Sequence, residues 1–144
     1  MKRDLHNNIA VKRGISAVAI GTTGTGKTTP AIDTAGYQAI EFLINYGTVT
    51  ATNAVFTALL TEGDTTGGSF TSVADADMLG LEANVGLGAT ASRVSGVSKN
   101  CVKRLGYIGF KRYVKLKVSS TITAGTPIGI DAILGRPQNA PVAT

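Results

Sequence analysis

The feature that most constrains the fold of this chain is an apolar residue at every second position in several short segments. Between Tyr113 and Val118 aliphatic residues alternate with Tyr and Lys, and between Thr126 and Leu134 the spacing recurs with Asp131 on the other side. A period of two is typical of a strand that buries one face and exposes the other. The residues predicted to face the core are Val114, Leu116, Val118, Ile128, Ile130, Ala132 and Leu134.

The first half of the chain carries the same pattern. Tyr37–Tyr46 alternates over its whole length, and Asn53–Thr61 repeats the alternation with Phe56 and Leu60 on one side. The Gly/Thr-rich run Gly21–Pro30 predicts a loop. Less regular segments predict further strands at Ile15–Ile20, Ser69–Val73 and Val102–Ile108, and one helical turn at Ala74–Leu81.

Composition agrees with a β-rich domain. Only 16% of the residues are charged and 18 are glycine, which argues against both disorder and a helical bundle. The sequence therefore predicts an all-β fold, a jelly-roll-like β-sandwich of about eight antiparallel strands. We expect the sandwich to span residues 14–135, between an extended N-terminal arm (1–13) and an extended C-terminal tail (136–144).

Reactive side chains are scarce. The chain has one His, one Cys and no Trp, so a catalytic or metal site built from several His or Cys ligands is excluded. Cys101 has no second cysteine with which to form a disulfide, and we expect a half-buried strand residue. Asp75, Asp77 and Glu82 lack the spacing of a calcium loop, and turns account for Glu62 and Asp64. We predict no enzymatic activity, no metal and no cofactor.

One motif resembles a nucleotide-binding loop. Residues 21–28 read GTTGTGKT, which matches the P-loop pattern, where backbone N–H groups surround a phosphate and a lysine contacts it. The residues in question are Gly21, Gly26, Lys27 and Thr28. A P-loop opens a helix, but here Pro30 and then Gly36 follow closely, and an alternating strand comes next. We interpret the match as accidental, with a P-loop nucleotide-binding protein as the less favoured alternative.

Positive charge is concentrated in two places. The net charge is +5, and no acidic residue lies between Glu82 and Asp131. That interval contains Arg93, Lys99, Lys103, Arg104, Lys111, Arg112, Lys115 and Lys117. The stretch from Lys99 to Lys117, with Tyr107, Phe110 and Tyr113 as stacking groups, would suit a basic β-barrel that binds single-stranded nucleic acid. A solvated strand face is the other reading, and both stay open.

Nothing in the sequence points to a membrane. No apolar run approaches the roughly 18 residues needed to cross a bilayer. The apolar stretch near the N-terminus is interrupted by Lys12 and Arg13, which leaves too short a run for a signal peptide. We expect an intracellular protein or a part of an assembly that is made inside a cell.

The C-terminal third resembles small virion proteins of tailed bacteriophages. Leu105–Leu116 reads LGYIGFKRYVKL, followed by AILGRP at Ala132–Pro137 and APV at Ala140–Val142. The opening segment Met1–Ile9 and the strand around Ile40–Phe42 are similar to the same group. The group comprises the capsid cement or decoration proteins of the jelly-roll type.

The resemblance implies a non-enzymatic protein on the outside of an icosahedral capsid, assembled in the host cytoplasm. Its partners would be the major capsid protein and further copies of itself, in a homodimer or homotrimer, and nucleic acid and membranes would not be partners. Extended arms would clamp neighbouring subunits by β-augmentation, and many copies would add strength through multivalency. The expected capsid contacts are Lys2, Arg3, Lys12, Arg13, Arg136 and Pro137.

Overall fold

The computed structural model describes residues 4–20, 26–48, 53–88, 100–122 and 124–139. The strands are β1 (Ile9–Ile20), β2 (Gly26–Thr28), β3 (Ile32–Asp33), β4 (Tyr37–Tyr46), β5 (Phe56–Gly63), β6 (Thr71–Ser72), β7 (Met78–Leu79), β8 (Cys101–Tyr107), β9 (Tyr113–Ser120) and β10 (Ala124–Pro137). One short helix, α1 (Glu82–Val85), and two 3-10 turns (His6–Asn8 and Asp75–Asp77) complete the described elements.

The strands form two antiparallel sheets, which confirms the predicted all-β sandwich. Sheet A has the order β1-β10-β4-β8-β7, and sheet B has the order β2-β9-β5-β6 with β3 also paired to β9. When β2 and β3 are counted as one interrupted strand and the two-residue β7 is set aside, eight strands remain. Their distribution between the sheets, with the first strand paired to the last, is that of a jelly roll.

The alternating segments supply the core between the sheets. In β4 the inward residues Ile40, Phe42, Ile44 and Tyr46 are all buried, as are the seven core positions predicted in β9 and β10. The bounds of β4 coincide with the predicted strand. Period-two alternation therefore identified the inner faces of β4, β9 and β10 correctly.

The Gly/Thr-rich run is not all loop, so that prediction is wrong at its C-terminal end. Gly26–Thr28 is a strand whose residues pair with Ser119, Val118 and Lys117 of β9. The ladder continues through Thr29, whose N–H donates to the Leu116 carbonyl and whose hydroxyl accepts from the Leu116 N–H. Pro30, which has no N–H, then separates β2 from β3.

The sandwich extends further toward both termini than predicted. Ile9 already pairs with Gly135 and Pro137 pairs with Tyr37, so residues 9–13 and 136–137 belong to sheet A. The predicted arm and tail are too long at these points, because backbone pairing continues past Lys12 and Arg13. Residues 1–3 and 140–144 lie outside the described residues.

Candidate interaction surface

One end of the sandwich, here called the Phe110 end, combines an exposed aromatic residue with the strands nearest the two chain termini. It is formed by the start of β1 at Ile9, the start of β4 at Tyr37, the β8–β9 turn with Phe110, and the end of β10 at Pro137. Ile9 of β1 pairs with Gly135 of β10, and Gly135 pairs on its other side with Ala39 of β4. Pro137 of β10 pairs with Tyr37 of β4. Phe110 shares a pocket with Tyr37. The register therefore brings the predicted contact segments to one end.

The β8–β9 turn (residues 108–112) is held from below by Tyr107. The Tyr107 hydroxyl donates to the Glu62 carboxylate at 2.5 Å and accepts the Lys111 backbone N–H at 2.9 Å. Because Glu62 belongs to sheet B and Tyr107 to sheet A, this pair links the two sheets. Burial, reinforced by the bond to Glu62, raises the pKa of Tyr107, so the phenol stays a neutral donor.

Two ion pairs hold the C-terminal half of the turn. The Lys111 ammonium lies 2.7 Å from the Asp64 carboxylate, and the Arg112 guanidinium makes two bonds to Asp33, at 3.0 and 2.8 Å. Hydrogen bonding to Arg112 lowers the pKa of Asp33, and bonding to Asp64 raises the pKa of Lys111. Exposed pairs contribute little stability singly, but here they act on one five-residue turn from two sides.

Gly109 fits the turn to the Tyr107 ring. A Cβ placed at Gly109 would lie 2.5 Å from the Tyr107 hydroxyl oxygen and 2.6 Å from ring carbons, too close for any other residue without movement. The ring therefore packs directly under the turn backbone. Above it Phe110 is fully exposed, at 101%, and Ile108 is 48% exposed. The braced backbone holds a fully exposed aromatic side chain at a defined place, so the turn itself loses little freedom on binding, and aromatic residues are frequent anchors of protein interfaces.

Two shallow cavities adjoin the β8–β9 turn at Ile108. One, of about 280 Å³, lies between Thr34, Tyr37 and Gln38 on one side and Ile108 and Phe110 on the other. A second, of about 180 Å³, continues over the outer side of sheet A past Ala39, Leu79 and Ile133. The two share the wall at Ile108, so the apolar surface runs continuously from the turn onto the sheet.

The predicted capsid-contact residues fall partly on this end. Lys2 and Arg3 lie outside the described residues. Lys12 and Arg13 are exposed on β1, where Arg13 pairs with Asp131. Arg136 is exposed with φ of 52°, a left-handed conformation that favours glycine, and it turns the chain at the end of β10. Just beyond it, the Gln138 N–H donates to the Gly36 carbonyl.

The basic stretch does not form one continuous face in the structure. Arg104 points outward from sheet A, whereas Lys115 and Lys117 lie on the outward positions of β9 in sheet B, and Lys99 lies outside the described residues. Lys111 and Arg112 are ion-paired in the turn. Of the predicted stacking groups, Tyr107 is buried, Phe110 is exposed, and Tyr113 lies half-buried with the Arg112 guanidinium 5.1 Å from its ring centroid.

The residues of the P-loop match have a geometry unlike that of a phosphate-binding loop. Gly26, Lys27 and Thr28 form β2, so their backbone groups face β9 rather than the start of a helix. A Cβ at Gly26 would lie 2.5 Å from the Val118 carbonyl oxygen, so glycine here permits close strand pairing. Gly21 lies outside the described residues.

The acidic candidates are dispersed by the fold. Asp75 and Asp77 belong to a 3-10 turn, and the Asp77 carbonyl accepts the Ile108 N–H. The Glu82 carboxylate instead accepts the Leu60 N–H at the edge of β5. Among the described residues no three His, Cys, Asp or Glu side chains are grouped as metal ligands. Cys101 is half-buried in β8, as expected, and packs against the core.

Within the same described ranges, no helix has the length and apolarity to cross a bilayer. Sequence reasoning named Phe110 only as a nucleotide-stacking group and missed its position at the tip of a braced turn. The available signal was the interruption of alternation at Ile108–Lys111, where an aromatic residue follows Gly109 between two strands. The ion-pair partners Asp33 and Asp64 had no sequence signal, because they are 79 and 47 residues from the basic groups they bind.

Comparison with known proteins gives little beyond the backbone. No family model and no curated protein matches this chain. Among solved structures, the pilus protein of Bacillus endospore appendages has a TM-score of 0.39 and 12% identity, over 95% of this chain and 97% of that one. The CBM22-1–GH10 modules of xylanase 10B from Clostridium thermocellum have a TM-score of 0.41 and 10% identity, over 96% of this chain and 28% of that one.

A third solved structure, Eiger TNF from S. frugiperda, has a TM-score of 0.33 and 7% identity, over 92% of this chain and 99% of that one. Likenesses this distant concern the backbone alone. None of them carries a functional argument for this chain.

Proposed function

We propose that this chain is a structural virion protein that binds the outside of a bacteriophage capsid and bridges its major capsid subunits. The observation that carries the proposal is the Phe110 end, where an exposed aromatic residue lies at the same end of the sandwich as Ile9 and Pro137, the strand residues nearest the two chain termini. A protein that bridges subunits needs more than one contact element on the same side. The proposal also rests on the resemblance of Leu105–Leu116 to decoration proteins, and that segment contains the turn.

The braced turn supports a binding role more than a catalytic one. Tyr107, Asp33 and Asp64 hold the turn in place through three independent contacts, and the residue left free is an apolar side chain, Phe110. Preorganisation of this kind lowers the entropic cost of association. Many copies on a lattice then convert a modest contact into stable attachment.

The test uses purified particles of the phage whose genome encodes this chain. Mass spectrometry of the particles should give a copy number comparable to that of the major capsid subunit, whereas six or twelve copies would indicate a neck or tail position. Particles stripped of the protein should rebind the wild type and gain resistance to heat. Absence from the particles, or no rebinding, would contradict the proposal.

A pair of variants locates the contact. Phe110→Asp should weaken rebinding at least about tenfold, because it removes a central apolar anchor. Leu59→Asp provides the matched control, since Leu59 is an exposed leucine on the outer side of sheet B. Equal rebinding of both variants would exclude the Phe110 end as the contact.

A further inference from the structure

The outer face of sheet A carries exposed aliphatic residues and has no covering layer among the described elements. Val11, Leu79 and Val102 point outward and are 60%, 56% and 60% exposed. Gly129 and Gly135 leave open positions on the same face, whereas the side chains of Glu41 and Leu79 cover Gly106. Exposed aliphatic residues on three strands of one face make that face a candidate interaction site.

The strand register gives this face an internal symmetry. β4 is the middle strand of sheet A, flanked by β10 and β8, with β1 and β7 outside them. One cross-strand row contains Arg13 on β1, Asp131 on β10, Leu43 on β4 and Arg104 on β8. The next row runs Val11, Ile133, Glu41, Gly106, Leu79 from β1 to β7. Opposite charges therefore lie equidistant from β4 in one row, and two exposed aliphatic residues lie equidistant from it in the next.

Charge on this face is balanced although the chain as a whole is basic. The net charge is +5, yet the outward charged residues on the paired strands of sheet A are two arginines, Arg13 and Arg104, and two acids, Glu41 and Asp131. Two copies of a basic protein repel each other over most orientations. They can approach through this face without that repulsion.

We propose that the outer face of sheet A binds the same face of a second copy, in a dimer whose two-fold axis runs along β4. In this arrangement Asp131 of each copy meets Arg104 of the other, and Val11 meets Leu79. A two-fold interface requires this reciprocity, in which residue i contacts residue j and j contacts i. The charge pattern thus favours a second copy over an unrelated partner.

The size of the face sets the strength of the dimer. Five strands spaced about 4.8 Å apart, with about nine residues each, cover roughly 20 Å by 30 Å, or about 600 Å² per copy. The two copies together would bury about 1,200 Å², at the lower end of specific interfaces. We therefore expect a reversible dimer whose population depends on concentration.

The symmetry axis also has a cost at Glu41. Glu41 lies on β4 itself, so the two Glu41 carboxylates of the dimer face each other. Arg104, whose Nε lies 3.7 Å from the carboxylate, offsets part of this repulsion. Glu41→Gln removes the like charges from the axis and should tighten the dimer.

The test is analytical ultracentrifugation of the wild type and charge-reversal variants over a wide range of concentration. Arg104→Asp and Asp131→Arg should each weaken dimerisation at least about tenfold, and the double variant should restore it. Lys117→Asp makes the same change of charge on the outer face of sheet B and should leave dimerisation unchanged. Circular dichroism of each variant verifies folding, and Leu79→Asn provides a second, uncharged disruption of the face.

The direction of the Arg104→Asp effect separates this proposal from a general charge effect. This variant lowers the net positive charge, so nonspecific association would strengthen, whereas the proposed interface predicts weakening. A monomeric wild type, a trimer, or equal effects of Arg104→Asp and Lys117→Asp would overturn the proposal. It does not depend on the capsid role, because a dimer that fails to bind particles would leave it standing.

Discussion

The two outer faces of the sandwich share one core but differ in chemistry. The outer face of sheet A carries exposed aliphatic residues, three glycines and a balanced set of charges. The outward positions of sheet B are mainly Thr57, Thr61, Lys115, Lys117 and Ser119, with Leu59 39% exposed. Threonine and lysine at such positions are typical of a solvated sheet that avoids other sheets.

The difference shows that folding constrains the inner faces of the sheets but does not determine the chemistry of their outer faces. Core packing constrains the inner faces of both sheets equally, so it explains the alternation in β4, β9 and β10 but neither outer face. A solvated outer face is the default for an antiparallel sheet. Sheet A departs from this default, and a partner on that side accounts for the departure.

The largest effect on stability is expected at Gly106, whose backbone is covered by the side chains of Glu41 and Leu79. A Cβ there would lie 2.8 Å from the Glu41 carboxylate and 2.9 Å from Leu79 Cβ. Gly106→Ala should therefore lower the free energy of unfolding by about 2.5 kcal/mol, as overpacking does elsewhere. The matched control is Gly129→Ala, where the nearest atom is 3.7 Å away. Urea denaturation of both variants measures the difference, and equal stability would mean that the face is not tightly packed.

The next prediction compares two tyrosines. Tyr107 lies in the interior of the sandwich, and Tyr113 lies on the outer face of sheet B. Tyr107→Phe removes the hydroxyl that bonds Glu62 and Lys111, and should cost about 1.5 kcal/mol because a half-buried carboxylate loses its donor. Tyr113→Phe, on the outer side of β9, should change the stability by less than about 0.5 kcal/mol. Thermal unfolding of the two variants tests this, and a larger loss for Tyr113→Phe would reverse the assignment of the two rings.

A smaller effect belongs to the outer face of sheet B. The Lys115 ammonium lies 3.7 Å from the centroid of the Phe70 ring, and this cation–π contact covers part of the ring. Lys115→Gln should cost about 0.5–1 kcal/mol, while Lys117→Gln should cost less. Denaturant unfolding measures the loss of stability in the two variants. A larger loss for Lys117→Gln than for Lys115→Gln would mean that the contact with Phe70 does not stabilise the fold.

The smallest effect is a dependence of stability on pH with opposite signs for two carboxyl groups. Burial raises the pKa of Glu41 above its ordinary value of 4.5, with Arg104 opposing. Its contribution is therefore present below about pH 4.5 and is lost as the pH rises through the folded-state pKa. Arg112 lowers the pKa of Asp33 below 3.8, so that contribution is present above this value and is lost as the pH falls.

Glu41→Gln should consequently raise stability near neutral pH by about 0.5 kcal/mol, a value discounted for partial exposure. Asp33→Asn should lower the free energy of unfolding near neutral pH and leave it nearly unchanged at acidic pH. Unfolding must be followed at protein concentrations where the chain is monomeric, so that association does not contribute. Shifts of the same sign in both variants would contradict these assignments.

Local pattern predicted the core but not the pairing of irregular segments. Alternation is a short-range signal, and it predicted the first and last residues of β4 correctly. Gly26–Thr28 resembled a loop because its composition is that of a turn, yet a long-range partner, β9, makes it a strand. The ion pair between Asp33 and Arg112 is also long-range, so no local pattern marks it. The exposed face of sheet A emerged only when the register placed Val11 and Leu79 in one row.

The central claim is that this face meets its own copy about an axis along β4, and site-directed cross-linking tests it most directly. In a background with Cys101→Ala, the double variant Val11→Cys and Leu79→Cys should give a covalent dimer with a short bismaleimide, because facing sheets lie about 10 Å apart. Val11→Cys alone should not, since the two sites would lie about 20 Å apart across four strand spacings. No cross-linked dimer from the double variant, or equal cross-linking by Val11→Cys alone, would contradict the account.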